Sequence, residues 1–281
     1  MTRKQLIEQV QQKRSYLCVG LDTDITKLPK HLQSHPNAVF EFNKAIIDAT
    51  HDLCVGYKIN TAFYEALGLK GWEAMEQTVN YIPKGLFKIA DAKRGDIGNT
   101  SSQYAKAFFE TMSFDAITVA PYMGEDSIRP FLEYENKWTI VLGLTSNKGA
   151  EDFEMLKIQN GNEAHLRSEF VYERVLNTVA KWGNENNLMF VTGATQATEF
   201  ENIRSIIPNH FLLVPGVGFQ GGSLEDVSKY GMIKDTSTTA QCGLLVNASR
   251  AIIFASEKED FAEEARAIAQ QYQTEMATYL K

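Results

Sequence analysis

Eight short apolar runs, separated by longer amphipathic stretches, recur along the whole of this 281-residue chain. Most of the runs are continuously apolar rather than alternating, which is typical of strands buried on both faces of a parallel sheet. The predicted strands are Tyr16–Leu21, Cys54–Lys58, Leu86–Asp91, Ala116–Val119, Thr139–Leu144, Leu188–Val191, Phe211–Val214 and Gly243–Val246. The stretches between them predict helices, among them Val39–His51, Thr61–Val79, Ser101–Met112, His165–Trp182 and Thr198–Ile207.

Repeated strand–helix units favour an α/β fold of the closed (β/α)8 TIM-barrel type. The alternative is an open doubly wound sheet, but polar or glycine-rich residues follow nearly every strand, as they do at the active end of a barrel. Amphipathic stretches at the start of the chain and over about Lys258–Tyr279 predict extra N- and C-terminal helices. Because no linker or low-complexity segment interrupts the pattern, we expect a single barrel domain over residues 1–281.

Composition excludes several classes of function. The net charge is −7 and no basic cluster stands out, so nucleic-acid binding is not expected. No apolar run is long enough to cross a bilayer, and the amphipathic start of the chain has no apolar core of the signal-peptide type, so we expect no membrane association. The cysteines Cys18, Cys54 and Cys242 lie in or beside predicted strands without a CxxC spacing, which predicts buried, reduced thiols and a cytoplasmic location.

Reactive side chains follow the predicted strands where a barrel would place its active site, at the carboxyl ends. These ends carry Asp22, Lys58, the segment Asp91-Ala-Lys93-Arg-Gly-Asp96, Thr145-Ser146-Asn147, Pro215–Gly222 and Asn247-Ala-Ser-Arg250. If the barrel closes, these groups converge on one rim.

The segment that begins at Asp91 is the strongest candidate for chemistry. Side chains two apart on a strand share a face, so Asp91 and Lys93 are expected to point into the same space. The alternative is a solvated ion pair that contributes little, but convergence with Asp22 and Lys58 on the rim favours chemistry. An ammonium held between carboxylates keeps its proton, which suits it to protonating a carbanion rather than to forming a Schiff base.

The loops after the last two strands of such barrels often bind phosphate. Gly216, Gly218, Gly221 and Gly222 would let backbone N–H groups approach an anion, and Arg250 could pair with it bidentately. The alternative is a tight turn beside a surface arginine. The same glycines match a weak dinucleotide fingerprint, but little chain remains to complete that fold, so a dehydrogenase is a distant alternative. The histidines fall away from the predicted rim, and we expect no metal site.

Several motifs along the chain match, in the same order, the pattern of one known family. They are Asp91-Ala-Lys93-Arg-Gly-Asp96-Ile97 with Thr100, Pro215-Gly-Val-Gly-Phe-Gln220-Gly-Gly, Arg250, Lys58 in Gly-Tyr-Lys-Ile-Asn, Asp22 in Val-Gly-Leu-Asp, and Ser146 in Leu-Thr-Ser-Asn. On these residues, in this order, the chain resembles the orotidine 5′-phosphate decarboxylases of the longer bacterial type, the type 2 subfamily. The resemblance covers nearly the whole chain.

The resemblance implies decarboxylation of orotidine 5′-phosphate to uridine 5′-phosphate and CO2, the last step of de novo UMP biosynthesis, without a cofactor. Lys93 would protonate C6 of the pyrimidine, and Asp91 would lie beside the departing carboxylate. Asp96 would act in the site of the neighbouring subunit, so the enzyme would be a homodimer with shared active sites. Lys58 would complete the charged array.

The resemblance also implies substrate-binding roles, for Asp22, Thr100, Ser146, Pro215, Gln220, Gly221 and Arg250. Asp22 with Lys58 would hold the ribose, Ser146 would contact the pyrimidine edge, and Gln220 with Arg250 would bind the phosphate. Thr100 would reach across the dimer. One departure from the family pattern is Lys148, where a proline is common. The segment after Ser146 would form a lid over the site, and this departure leaves its geometry undecided.

Two rival functions share parts of this pattern. A Mg²⁺-dependent sugar-phosphate decarboxylase or aldolase has the same Asp-x-Lys-x-x-Asp spacing, but the loop at Pro215 and the chain length argue against it. A non-catalytic nucleotide-phosphate binding protein on the same barrel would have no need of Lys93 between two acids.

Overall fold

A closed barrel of eight parallel strands forms the centre of the computed structural model, which describes residues 1–160, 167–218, 221–233 and 242–280. The barrel strands are β1 (Leu17–Gly20), β2 (Gly56–Asn60), β3 (Phe87–Arg94), β4 (Ala116–Val119), β5 (Trp138–Leu144), β8 (Leu188–Thr192), β9 (Phe211–Pro215) and β10 (Leu244–Ala248). They are neighbours in chain order, and β10 pairs with β1. The predicted (β/α)8 fold is therefore confirmed.

Helices alternate with the barrel strands. They are α1 (Arg3–Lys13), α2 (Lys30–Gln33), α3 (Ala38–Thr50), α4 (Thr61–Glu65), α5 (Leu69–Tyr81), α6 (Gly98–Lys106), α7 (Glu125–Leu132), α8 (Val171–Val179), α9 (Phe200–Ile206), α10 (Leu224–Gly231), α11 (Arg250–Ile253) and α12 (Phe261–Tyr279). A π-helical turn, Ala107–Thr111, extends α6, and 3-10 turns cover Ile25–Lys27, Lys148–Asp152 and Ala194–Glu199. In the part of the chain that the structure describes, no helix combines the length and apolarity needed to cross a membrane.

The predicted terminal helices α1 and α12 are both present. The N-terminal one closes the amino-terminal end of the barrel, opposite the rim. Leu6 and Val10 of α1 are buried there. The Met1 ammonium group donates to Asp115 Oδ1 at 3.0 Å, and the indole nitrogen of Trp138 donates to the Met1 carbonyl oxygen at 2.8 Å. Because this end is covered, the cavity described below opens at the other end.

The predicted helix His165–Trp182 is wrong at its start. Residues Arg167–Phe170 form strand β7, which pairs antiparallel with β6 (Lys157–Asn160), and the helix spans only Val171–Val179. Pairing with β6 satisfies the backbone of β7. Glu173 accepts a hydrogen bond from the Phe170 backbone N–H at 2.5 Å and so marks the start of the helix.

The predicted helix Thr61–Val79 is likewise two helices, α4 and α5. Gly68 between them adopts φ +62°. This left-handed backbone conformation is accessible to glycine at little cost but ends a right-handed helix.

Candidate active site

The carboxyl ends of the barrel strands enclose a cavity of about 450 Å³. The predicted site residues on its wall are Asp22, Lys58, Asp91, Lys93, Pro215 and Arg250. Four others, Asp96, Thr100, Ser146 and Gly221, are described but are not part of this wall. Gln220 lies outside the described residues. The barrel therefore brings together residues that are up to 228 positions apart in the chain.

Four charged side chains of alternating sign form a continuous row on this wall. Lys58 Nζ lies 3.1 Å from Asp22 Oδ1 and 2.9 Å from Asp91 Oδ2. Lys93 Nζ lies 2.6 Å from Asp91 Oδ1. Asp91 thus has one ammonium group on each of its two carboxylate oxygens. We call these four residues the charge row.

The four side chains of the charge row differ in burial, and burial affects the pKa values of Lys58 and Asp91. The side chains of Lys58 and Asp91 are 4% and 11% exposed, whereas that of Lys93 is 51% exposed. Burial alone would lower the pKa of Lys58, but attraction by Asp22 and Asp91 outweighs it and the pKa lies above the ordinary value. Burial would raise the pKa of Asp91, but the two lysines hold it well below the usual range. Both groups therefore stay ionised at neutral pH.

Thr118 of β4 fixes the geometry of Asp91 and Lys93. Its hydroxyl group donates to Asp91 Oδ1 at 3.0 Å and accepts from the Lys93 backbone N–H at 2.9 Å. The Thr118 side chain is fully buried, so it has little freedom to move. Thr118 was missed at the sequence level, although it is the one residue with a polar side chain in the segment Ala116–Pro121.

Asp91 and Lys93 meet for a different reason from the one expected. The register between β3 and β4 shifts between Ala90 and Arg94, and Lys93 adopts φ +47°. Regular alternation of side chains along the strand is therefore broken. The two side chains still meet, but a left-handed turn at Lys93 brings its ammonium group back over Asp91.

Asp96 and Thr100 lie beyond the charge row, on the loop and first turn of α6. Asp96 Oδ1 accepts a hydrogen bond from the Ile97 N–H at 2.8 Å, and Thr100 is exposed. Ile97 is 50% exposed. In the loop after β4, the apolar side chains of Tyr122 and Met123 are also exposed, by 94% and 46%. Asp96 therefore stands beside an exposed apolar surface and does not join the charge row of its own chain.

The end of β5 is held by a residue that the sequence did not point to. Glu154 accepts hydrogen bonds from the Thr145 backbone N–H at 2.6 Å and from the Thr145 hydroxyl group at 2.9 Å. Ser146 follows directly, and a Cβ at Gly193 would lie only 2.6 Å from Ser146 Cβ. Ser146 is therefore closely packed against Gly193 at the end of β5.

The glycine-rich loop after β9 is a tight turn. Gly216, Gly218 and Gly221 have φ values of +97°, +76° and +86°, which side chains rarely permit. The N–H groups of Gly218, Gly221 and Gly222 donate to the carbonyl oxygens of Gly222, Gly218 and Gly216. These three N–H groups are therefore hydrogen-bonded within the loop.

Arg250 supplies positive charge on the same side of the cavity. It is exposed, begins α11 and lines the cavity next to Ser249. The Ser249 hydroxyl group donates to the Gly20 carbonyl oxygen at 3.0 Å and ties this strand end to β1. A guanidinium in this position suits an anion that enters from the rim.

Comparison with known proteins gives a consistent result. The model of the family described as orotidine 5′-phosphate decarboxylase / HUMPS matches residues 15–268. An orotidine 5′-phosphate decarboxylase of Flavobacterium johnsoniae is 59% identical over 280 residues, covering 99% of this chain and 97% of the relative. One of Bacteroides fragilis is 55% identical over 284 residues, covering 100% and 99%.

Solved structures agree with this result. The structure of Leishmania donovani OMP decarboxylase superposes with a TM-score of 0.77 at 32% sequence identity, covering 98% of this chain and 99% of that one. The similarity therefore extends over the barrel as a whole and not only over its motifs.

Proposed function

This chain belongs to the orotidine 5′-phosphate decarboxylase / HUMPS family, and we propose that it is the enzyme that converts orotidine 5′-phosphate to uridine 5′-phosphate and CO2, the last step of de novo UMP biosynthesis. The family description covers two groups of proteins, and the relatives at 55% and 59% identity carry the decarboxylase name. The observation that carries the proposal is the charge row, in which an accessible ammonium group is held against a buried, ionised carboxylate.

In the proposed reaction, Lys93 donates the proton. The bond between C6 and the carboxylate breaks, the electron pair stays on C6, and the Nζ proton of Lys93 moves to C6 as CO2 leaves. Lys93 is left as a neutral amine and regains a proton from water, to which its half-exposed side chain has access. Its positive charge also stabilises the developing carbanion, and this electrostatic contribution is expected to be large because the site is preorganised.

Asp91 would lie beside the departing carboxylate. Because two ammonium groups and the Thr118 hydroxyl group stabilise its ionised form, Asp91 remains an anion when the substrate binds. Its contact with Lys93 Nζ then holds that ammonium group in place next to the substrate.

We propose roles for the substrate-binding residues predicted from the sequence, of which Asp22, Lys58, Pro215 and Arg250 line the cavity. Asp22 and Lys58 would hold the ribose, and Arg250 with Gln220 would bind the phosphate. Ser146 would contact the edge of the pyrimidine. The remaining assignments in this proposal are the loop residues Pro215 and Gly221, which shape the turn before and after Gln220, and Thr100, which reaches a neighbouring site.

We further propose a homodimer in which Asp96 and Thr100 serve the active site of the second copy. The exposed apolar side chains Ile97, Tyr122 and Met123 beside Asp96 support this assignment, because burying such a surface is favourable and a two-fold interface uses it twice.

Mixing two inactive variants tests the shared site. Asp96→Ala and Lys93→Ala proteins should each be inactive, and after subunit exchange their hybrid has one intact site. An equal mixture should regain about one quarter of wild-type activity if subunits exchange at random. No recovery, with exchange demonstrated by tagged subunits, would remove Asp96 from the neighbouring site.

The proposal extends to the chain as a whole. We propose that residues 1–281 form one domain, supported by the packing of α1 against the barrel end, and that the enzyme acts in the cytoplasm. The location is supported by Cys18, Cys54 and Cys242, which are buried and free of disulfides.

The direct test is turnover of orotidine 5′-phosphate by the purified protein, with chelator present, followed by the change in pyrimidine ultraviolet absorbance. A fast change that yields uridine 5′-phosphate supports the proposed reaction and its independence of added metal. No change from folded protein would exclude it, and sugar phosphates with Mg²⁺ would then be the next substrates to assay.

A further inference from the structure

Asn247 of β10 is a buried amide that lines the active-site cavity. The residue is 6% exposed, and among the described residues its Oδ1 atom has no hydrogen-bond partner. Buried side-chain amides in folded proteins are normally hydrogen-bonded, because the loss of water otherwise costs free energy. An unpaired amide in the wall of a substrate cavity therefore points to a partner that arrives with the ligand.

The position of Asn247 in the barrel limits what that partner is. A Cβ built on Gly20 would lie 3.1 Å from Asn247 Oδ1, so the amide stands against the end of β1. Gly20 in turn is in register with Lys58 on β2. The amide therefore lies on the side of the cavity that holds Asp22 and Lys58, below the rim where Arg250 begins α11.

The two sides of the cavity differ in chemistry. On the β8 and β9 side the wall is apolar, with Val191, Leu213 and Pro215, and suits the face of a planar ring. On the β1, β2 and β10 side it presents a carboxylate, an ammonium group and the Asn247 amide, which suit hydroxyl groups. In a nucleotide whose phosphate lies at Arg250, the sugar connects the phosphate to the ring and faces this polar side.

We propose that Asn247 Oδ1 accepts a hydrogen bond from a ribose hydroxyl group of the bound nucleotide, which makes Asn247 a residue that determines specificity for the sugar. This inference rests on the proposed function and adds a contact to it. An apolar side chain of similar volume would fill the same space but would not distinguish ribose from deoxyribose.

Binding of three ligands to Asn247→Leu tests the inference. Calorimetry with uridine 5′-phosphate and its 2′-deoxy and 3′-deoxy analogues should show that the variant binds the ribonucleotide about tenfold more weakly. The analogue that lacks the hydroxyl group in question should bind wild type and variant equally. Unchanged binding of uridine 5′-phosphate, or an equal loss for all three ligands, would overturn the inference.

Stability measurements separate a ligand contact from a structural role. Because Asn247→Leu removes an unpaired buried amide, its Tm without ligand should equal or exceed that of wild type. A lower Tm with unchanged preference among the ligands would overturn the inference. Should the leucine variant fail to fold, Asn247→Ala removes the same atoms without adding volume, and the same ligand preferences are expected of it.

Thr139→Val is the matched control. Thr139 Oγ1 is also buried without a partner among the described residues, but it lies near the start of β5 and away from the cavity. The variant should leave the preference among the three ligands unchanged. A change as large as that in Asn247→Leu would count against the assignment of Asn247.

Turnover of orotidine 5′-phosphate by wild type is measured in parallel and separates the two proposals. Normal turnover with unaltered sugar preference in Asn247→Leu would overturn this inference alone. Folded wild-type protein without turnover would overturn the proposed function and this inference with it.

Discussion

The two ends of the barrel both bury ionisable groups, but the surroundings of these groups differ. At the rim, Lys58 and Asp91 are paired with opposite charges and remain ionised. At the other end, Arg204 donates to the carbonyl oxygens of Gly231, His210 and Gly243, and both ring nitrogens of His210 lack partners within the described residues.

This difference distinguishes the groups that can act on a substrate from the groups that stabilise the fold. Charges held in opposite pairs at the carboxyl ends of strands can act on a substrate. Groups held by carbonyl oxygens and apolar packing, such as His210 against Phe190, only close the far end of the barrel. Substitutions at the rim should therefore change turnover at little cost to stability, whereas those at the far end should do the reverse.

The largest expected effect on turnover comes from Lys93→Ala. Loss of both the proton donor and the positive charge should lower kcat by at least about 10³-fold, while the protein stays folded. Initial rates with orotidine 5′-phosphate and thermal unfolding measure the two quantities. Lys84→Ala, an exposed lysine at the far end, is the control and should keep full activity. Near-normal turnover of Lys93→Ala would contradict the proton-donor role.

Arg250→Ala should have the next largest effect, on binding rather than on chemistry. Loss of a charge-assisted pair with phosphate should weaken uridine 5′-phosphate by about 10–100-fold and hardly affect uridine. Calorimetric titration of both ligands checks this. If both ligands lose affinity equally, Arg250 does not act through the phosphate.

A smaller loss is expected for Thr118→Val, which keeps the shape of the side chain but removes the hydroxyl group between Asp91 and Lys93. Turnover should fall by about 3–10-fold with little change in KM, because the hydrogen bond positions catalytic groups and not the ligand. Steady-state kinetics measures this split. A rise in KM at constant kcat would place Thr118 in binding instead.

His210→Leu at the far end should leave turnover at pH 7 unchanged and alter only the pH dependence of stability. Burial lowers the pKa of His210 to about 4, from an ordinary value of 6.5. Arg3 and Arg204 also lower it, and Glu185 opposes them. A lowered pKa means that the unfolded state binds the proton more readily, so this contribution to stability is present above pH 6.5 and is lost as the pH falls towards 4.

Urea denaturation at pH 7 and pH 4.5 measures that contribution. Wild type should lose about 2–3 kcal/mol more than His210→Leu between these two pH values. Equal losses in the two proteins would show that His210 does not contribute to the pH dependence of stability. Reduced turnover of the variant at pH 7 would contradict the view that the far end of the barrel affects stability alone.

The regular part of the fold was predictable and the irregular part was not. Most barrel strands are continuously apolar runs, as expected of a covered parallel sheet, so the eight strands could be located from the pattern of apolar residues along the chain. The hairpin of Lys157–Asn160 and Arg167–Phe170 was missed because its residues are polar and lack strict alternation.

The candidate site was predictable where it depends on strand ends. Asp22, Lys58 and Asp91 each end an apolar run, and the barrel places their side chains together. By contrast, the positive φ of Lys93 and the contact from Thr118 depend on the register between two strands, which no local pattern encodes. The occupied N–H groups of the glycine loop are also a property of the folded turn.

The left-handed backbone at Lys93 places a conformational cost at one residue of the charge row. A residue with a side chain in this conformation is strained by roughly 1 kcal/mol, a strain that glycine would not carry. The backbone alone would therefore favour glycine at this position. If Lys93 donates the proton as proposed, the ammonium group is kept there at a cost in conformational stability.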